Sequence, residues 1–413
     1  MSKITDIAVI GGGASGLAAA IEAKNVMPKA RVVILEKLDR VGKKLLATGN
    51  GRCNLSNMDM GSHHYHGSVK NVMRIINGTP TAKEFFGSIG VVCSADSKGR
   101  IYPRSNSAAT VLNALRLRAK ELGIIERCGF EANFIESTPD CFRISSEKGE
   151  KYPCKRVIVA AGGYAAPQFG TDGSVIRLLR SNGCHTTKIC PAVAPLRVRP
   201  ELLKGLKGVR AKGKVTALSA GRILKEETGE IQFTESSLSG ICVFNMAHLI
   251  SQYDGKLTLR LDLASDMDME QLVGYLRIIQ YQRSSCTLEE LLTGLFVRNL
   301  AFYLTKRALG KPLTESISAL KEADLRTIAQ LIKNLDFEVL GSAPWKEAQV
   351  TSGGISGDCV DEQLQLRGAK GIFLCGEILD VDGDCGGYNL QWAWSSGIMA
   401  GRCCANSLRG ALL

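Results

Sequence analysis

The sequence has no CxxC pair and only five histidines, although 14 cysteines stand among its 413 residues. Zinc ribbons and CxxC redox centres, which need closely spaced thiolates, are thereby excluded. No apolar run approaches the ~18 residues that a membrane-spanning helix requires. Aromatic residues are scarce at 6%, and Lys and Arg are spread evenly with no block of about five, which argues against a dedicated nucleic-acid module. No charged-then-apolar leader precedes the first strand, so the expectation is a cytoplasmic protein with reduced thiols and no membrane partner. Internal repeats and low-complexity tracts are missing as well.

What is present is the composition of a folded enzyme-sized chain. Hydrophobic residues make up 45% and charged residues 22%, enough to bury a core in two or three domains. The formal net charge of +12 favours anionic partners, phosphates, carboxylates or nucleic acid, and charge alone does not choose among them.

The first fifty residues carry the strongest pattern. Ile7-Ala8-Val9-Ile10 reads as a buried strand, followed by Gly11-Gly12-Gly13-Ala14-Ser15-Gly16 and the helical run Leu17-Ala18-Ala19-Ala20-Ile21. This is GxGxxG between a strand and a helix. Gly11 permits the tight turn, Gly13 lets a pyrophosphate approach, and Gly16 lets the helix pack on the strand. A second strand, Arg31 to Leu35, ends in Glu36, about 20 residues on, where an acid can hold ribose hydroxyls. The unit predicts an adenine dinucleotide, NAD or FAD.

Downstream, Arg40 to Asn54 is a loop of glycines, cations and amides in which Lys43, Lys44 and Arg52 offer charge to phosphate. Arg156 to Val159 reads as another buried strand, ending in Ala160-Ala161-Gly162-Gly163. Gly371 to Cys375 is a third, leading through Gly376-Glu377 to Gly386-Gly387-Tyr388-Asn389 and a helix through Gln391, Trp392 and Trp394. Small residues after a strand leave room for a cofactor, and a glycine-flanked helix start suits the carbonyl edge of a flavin.

These segments resemble the bacterial flavoprotein family of bile-acid dienone reductases and aminoacetone oxidases, a branch of the glutathione-reductase-like FAD proteins. The resemblance runs over nearly the whole chain, through Gly42-Lys43-Lys44, Gly51-Arg52-Cys53-Asn54, Gly99 to Pro103, Thr351 to Gly354, Gly376 to Val381 and Gly386 to Ala393. It implies an α/β fold, with a Rossmann-like, glutathione-reductase-type FAD-binding domain, an inserted β-rich domain and a small helical domain. The FAD site expected from motif and resemblance together comprises Gly11, Gly13, Ala14, Ser15, Gly16, Glu36, Lys37, Gly42, Lys43, Lys44, Gly49, Gly51, Arg52, Cys53, Asn54, Ala161, Gly162, Gly376, Glu377, Gly387, Asn389 and Gln391. Many relatives carry a histidine and a proline where this chain has Glu235 and Ile241, a departure that bears on substrate charge if the motif borders the pocket.

The domain reading places residues 1–190 and 345–413 in the FAD domain, 191–265 and 336–344 in the β-rich insert, and 266–335 in the helical insert. Within the last, Thr287-Leu288-Glu289-Glu290 reads as a capping box and Leu291, Leu292, Leu295, Phe296 and Leu300 as one helical stripe. His63, His64 and His66 are expected to form a polar loop, not a metal site, since no second ligand group accompanies them. No second GxGxxG unit is present, so NAD(P)H would visit the flavin without its own Rossmann domain. By resemblance, the expected activity is reduction of a conjugated C=C bond in a 3-oxo steroid or bile acid, apolar and anionic, by hydride from flavin N5. Tyr388 is the candidate proton donor. An oxygen-using amine oxidase is the alternative, and a flavin-containing nucleic-acid-binding protein ranks third.

Overall fold

The computed structural model describes residues 4–181, 183–253 and 255–409. The chain divides into two compact units, residues 1–192 with 345–413, and residues 193–344.

The first unit is built on a parallel sheet. Strand β1 (Thr5–Ile10) leads through the glycine turn into helix α1 (Ala14–Val26), and β2 (Val32–Glu36) follows. The helix stops at Met27, one residue before Pro28, which cannot continue it. Sheet order runs Ile125–Cys128, β2, β1, Lys151–Val159, with Ile372–Leu374 beyond, all parallel. The strand Lys151–Val159 uses its first half differently, pairing antiparallel with Phe142–Ser146. β1 and β2 are buried nearly throughout, which is why they read as continuous apolar runs and not as alternation.

The C-terminal helix Tyr388–Arg409 closes this unit by lying against α1. A Cβ at Gly397 would stand 2.4 Å from the Ser15 carbonyl oxygen, and one at Gly401 would stand 2.3 Å from that of Ala19. The two glycines, one turn apart, therefore let the backbones touch over the alanine-rich face of α1. Among the described residues this unit also holds three small antiparallel sheets, one of them pairing Tyr65–Gly67 with Val381–Gly383.

The second unit is a seven-stranded antiparallel sheet whose long strands are Arg210–Ser219, Arg222–Phe233 and Leu257–Asp262. Leu257, Leu259 and Leu261 face inward in strict alternation. Helices Met269–Gln282, Arg298–Leu309 and Glu322–Lys333 share one apolar core with these strands. The expected single stripe from Leu291 to Leu300 is not one helix. Glu290 does cap Thr287, but the chain then runs in turns closed three residues back, Thr293 to Glu290 and Leu295 to Leu292, and the helix starts only at Arg298. Thr293 and Gly294, both poor helix formers, stand where that stripe would have had to continue.

Candidate functional site

The cofactor motifs converge because the parallel strands end in register. Ile10 is level with Leu35 and Val159, and Val159 with Leu374. The next residues bond across the same row: Gly11 N–H donates to Leu35 O (2.8 Å), Ala160 N–H to Ile10 O (2.8 Å) and Cys375 N–H to Val159 O (3.0 Å). Gly11, Glu36, Ala160-Ala161-Gly162 and Gly376-Glu377 thus line the carboxyl edge of the sheet, where open α/β sheets hold ligands.

Within the glycine turn the three positions differ. A Cβ on Gly11 would stand 2.5 Å from Ala160 O, and one on Gly16 only 2.0 Å from Gly11 O, whereas one on Gly13 would meet nothing within 4 Å. Packing therefore demands glycine at Gly11 and Gly16, while Gly13 faces open space at the N-cap of α1. Among the described residues no side chain caps that helix and no acid occupies its first turn, so the main-chain N–H groups from Ala14 and Ser15 onward remain available to an anion. Glu36 braces the turn, its carboxylate accepting from Gly12 N–H (2.8 Å) and Leu38 N–H (2.9 Å).

The four expected cations fare differently. Lys37 pairs with Glu131 and Asp172, Lys43 with Asp39, and Lys44 with Glu377. Only Arg52 has no carboxylate partner among the described residues; it lies over the Tyr102 ring, 5.0 Å from the centroid, and donates to Gly49 O. Gly42 is left-handed and donates to Gly12 O, tying the short helix Lys43–Ala47 to the glycine turn. Beyond it, Gly49, Asn50, Gly51 and Cys53 all take positive φ (57°, 55°, 80° and 59°). Two non-glycine residues so close together in that region mark a backbone held in an unfavourable shape by its surroundings. Cys53 is fully buried, and burial pushes its thiol up to about 12, so it is no thiolate nucleophile. Cys375 is raised to about 12 for the same reason.

Asn54 Oδ1 is buried without a hydrogen-bond partner among the described residues. An orphan acceptor, an uncapped helix start and the space at Gly13 together fit a bound dinucleotide, which can donate hydroxyl groups and fill the gap. Gly162 is left-handed against Thr171, and Gly387 sits against Ser56 O and Asn54 Oδ1. Gly376 is held at both ends, its N–H by Ser396 Oγ (2.9 Å) and its carbonyl by Trp392 Nε1 (3.1 Å).

Two expected contacts are occupied internally. The Asn389 amide exchanges hydrogen bonds with the Gly383 main chain (2.8 and 2.7 Å), and Gln391 joins Ser56 Oγ to Ser395 Oγ. Their side chains lock the start of the C-terminal helix. Glu377 accepts from Thr351 N–H and Oγ1 as well as from Lys44. Glu235, the departure from the family motif, is exposed and pairs with Lys207.

Tyr388 is buried and stacks on His64, ring centroids 4.1 Å apart. This exposes what the polar-loop reading missed. Carboxylates for the histidines come from Asp59 and, more than 300 residues away, Asp384: His64 Nε2 lies 3.2 Å from Asp59, its Nδ1 3.1 Å from Asp384, and His66 Nε2 3.2 Å from Asp384. Asp382 lies in the strand Val381–Gly383 with Asp380 and Asp384 flanking it at either end, a spacing of two visible in the sequence once that segment is read as extended. Desolvation by burial pushes the Asp382 carboxyl up to about 7, opposed by His66 and a Ser352 hydrogen bond.

The sequence matches the family described as "HI0933-like protein Rossmann domain" over residues 5–403. It is 37% identical to the 3-dehydro-bile acid delta(4,6)-reductase of Clostridium scindens, across 97% of this chain and 98% of that one. Identity to the ribosomal RNA dihydrouridine synthase of Haemophilus influenzae is 23%, across 96% of this chain and 97% of the relative. Among solved structures, a quinol-fumarate reductase with menaquinol molecules shares the fold at a TM-score of 0.52 and 15% identity, covering 100% of this chain and 72% of that one.

Proposed function

Because the chain belongs to the HI0933-like family of Rossmann-domain proteins, we propose that it is an FAD-dependent reductase of a C=C bond conjugated with a carbonyl group, its substrate a 3-oxo steroid or bile-acid dienone. The observation that carries this reading is the 37% identity, end to end, with a reductase of that substrate class. Two kinds of relative also agree on the chemistry. A delta(4,6)-unsaturated 3-oxo acid and the uracil ring of uridine both present an alkene conjugated with a carbonyl, and both are saturated by a hydride and a proton.

Bound FAD supplies the hydride, taken in turn from NAD(P)H. The chain's residues do the rest. The N-terminus of α1, with Gly13 at its cap, would receive the pyrophosphate, and Arg52 would offer a charge that no carboxylate pairs among the described residues. Asn54 Oδ1 would accept a hydroxyl of the cofactor, and the N-terminal end of the helix Tyr388–Arg409 would favour the negative charge that the flavin gathers on reduction. The test is the anaerobic visible spectrum of the purified holoprotein before and after NADH or NADPH, followed by addition of a 3-oxo-4,6-dienone. Bleaching that the dienone reverses, with the saturated product recovered, supports the reading. Bleaching by a small amine instead, with hydrogen peroxide released in air, overturns it in favour of an oxidase.

A second reading, reduction of uridine in RNA, has its own observation. In the 193–344 unit, a groove of about 770 Å³ is lined by Lys204, Arg298, Phe302, Tyr303, Lys306 and Arg307, with Glu201 and Glu289 the acids. Arg298, Phe302 and Lys306 recur every fourth position, about 6 Å apart along one helix, a cation–aromatic–cation face suited to phosphate and base. RNA binding that weakens steeply with salt, together with dihydrouridine in the product, would replace the steroid reading with this one.

A further inference from the structure

A network of carboxylates and imidazoles runs from solvent into the first unit, next to the start of the C-terminal helix. Its outer member, Asp59, has 65% of its side chain exposed; His64 has 17%, Asp384 7% and His66 13%. Innermost is Asp382, at 2%. The links Asp59–His64, His64–Asp384 and Asp384–His66 measure 3.2, 3.1 and 3.2 Å. From His66 the path continues by strand pairing, not by one of these three links: Asp382 stands directly opposite His66 in the antiparallel register, which brings facing side chains to one side with Cβ atoms about 5 Å apart.

Both ring nitrogens of His64 face carboxylate oxygens. An imidazole can take up a proton at one ring nitrogen and release one from the other, so His64 bridges the two carboxylates as a relay between them. At the inner end, Asp382 Oδ1 is buried with no hydrogen-bond partner among the described residues. An unpaired oxygen on a fully buried carboxyl is costly unless it serves a bound group or a mobile proton.

We propose that Asp382 holds the proton that completes C=C reduction, and that Asp59, His64, Asp384 and His66 reload it from solvent. The proposal rests on the reductase reading above. In the step, hydride from the reduced cofactor forms the C–H bond at the β carbon, and the alkene electrons move to the α carbon. The O–H bond of Asp382 then breaks as its proton joins the α carbon. The alkene is reduced, the nicotinamide donor is ultimately oxidised, and the Asp382 carboxylate recovers a proton from His66. The groups that set its titration are His66 on the facing strand, Asp380 and Asp384 on either side of its own strand, and Ser352 on the strand Val350–Ser352. The C-terminal helix packs there through Tyr388, beside Gly383. A carboxyl poised near pH 7 is suited to give and regain a proton under ordinary conditions.

The experiment uses the holoprotein and the variants Asp382→Asn, His66→Gln and His64→Gln. Infrared difference spectroscopy should show a protonated carboxyl band that titrates near neutrality, is absent in Asp382→Asn and shifts its midpoint upward in His66→Gln. In single-turnover work, reduction by NADH should stay within about twofold, while oxidation by the dienone falls about 100-fold in Asp382→Asn. His64→Gln should slow only the second half-reaction, and added imidazole should restore it. If Asp382→Asn does not fold, the exposed Asp59→Asn replaces it, with slower hydrogen–deuterium exchange of the carboxyl band as the expected result. Equal slowing of both half-reactions, an unchanged pH profile, or a band that does not titrate between about pH 5 and 9 would overturn the proposal. Wild-type protein that reduces no conjugated alkene refutes the reductase reading, and the infrared titration then decides the proton path by itself.

Discussion

Lys44 Nζ lies 2.8 Å from Glu377 Oε2, so one ion pair spanning 333 positions joins the short helix Lys43–Ala47 to the turn after the strand Ile372–Leu374. Both side chains are about four-fifths covered, and Glu377 keeps its Thr351 bonds when the lysine is removed. Lys44→Met should therefore lower stability by about 1–2 kcal/mol, between the values for exposed and buried charged hydrogen bonds. It should weaken flavin retention more than it weakens folding. Thermal melts of apo- and holoprotein, with flavin counted after gel filtration, check both.

The glycine turn makes a sharper contrast. Gly11→Ala and Gly16→Ala drive a methyl into the main chain and should cost about 2–4 kcal/mol of apoprotein stability. Gly13→Ala meets no protein atom within 4 Å, so the apoprotein should melt within about 1 kcal/mol of wild type while dinucleotide binding is lost. An apoprotein destabilised equally by all three would refute the assignment of Gly13 to the ligand.

Asp382 ties stability to pH with an unusual sign. Its folded value of about 7 lies above the ordinary 3.8, so the folded chain binds the extra proton across that window. The contribution is complete below pH 3.8 and lost as pH rises through about 7, where the buried carboxylate becomes charged. Asp382→Asn should then be near neutral at about pH 4 and stabilising by up to about 4 kcal/mol at about pH 8. Denaturant titrations at the two pH values give the answer.

Cys53 makes a negative prediction. With the thiol buried and raised to about 12, alkylation at about pH 8 should label it only after unfolding, and Cys53→Ser should not abolish turnover. Mass spectrometry of native protein pulsed with iodoacetamide tests this directly.

The β1–α1–β2 unit was legible because strand, glycine turn, helix and acid are local in sequence and each has its own period. The later strands were legible as short apolar runs, and their meeting at one sheet edge followed from parallel topology. The histidine network was not, because Tyr65–Gly67 finds its partner strand more than 300 residues away, and nothing local tells a histidine-rich loop from a histidine-rich strand. Asn389 and Gln391 were legible as important but not in their role. An amide at a helix start can face a ligand or cap its own loop, and only the closeness of Gly383 and Ser56 decides. The stripe from Leu291 to Leu300 misled because turns closed by three-residue bonds bury leucines almost as a helix does.

The position of the closing helix has a consequence for how the protein is made. The edge of Lys151–Val159 that receives Ile372–Leu374, and the alanine face of α1 that receives Gly397 and Gly401, are both waiting for partners encoded beyond residue 370. A ribosome adding roughly 5–20 residues per second needs on the order of 10–40 s to pass from the first of these strands to the second. During that interval the nascent nucleotide-binding half carries an open sheet edge and a bare apolar helix face. Nascent chains stalled before residue 370 should therefore be the ones that engage chaperones and resist loading with flavin, and release of the last forty residues should end both states together.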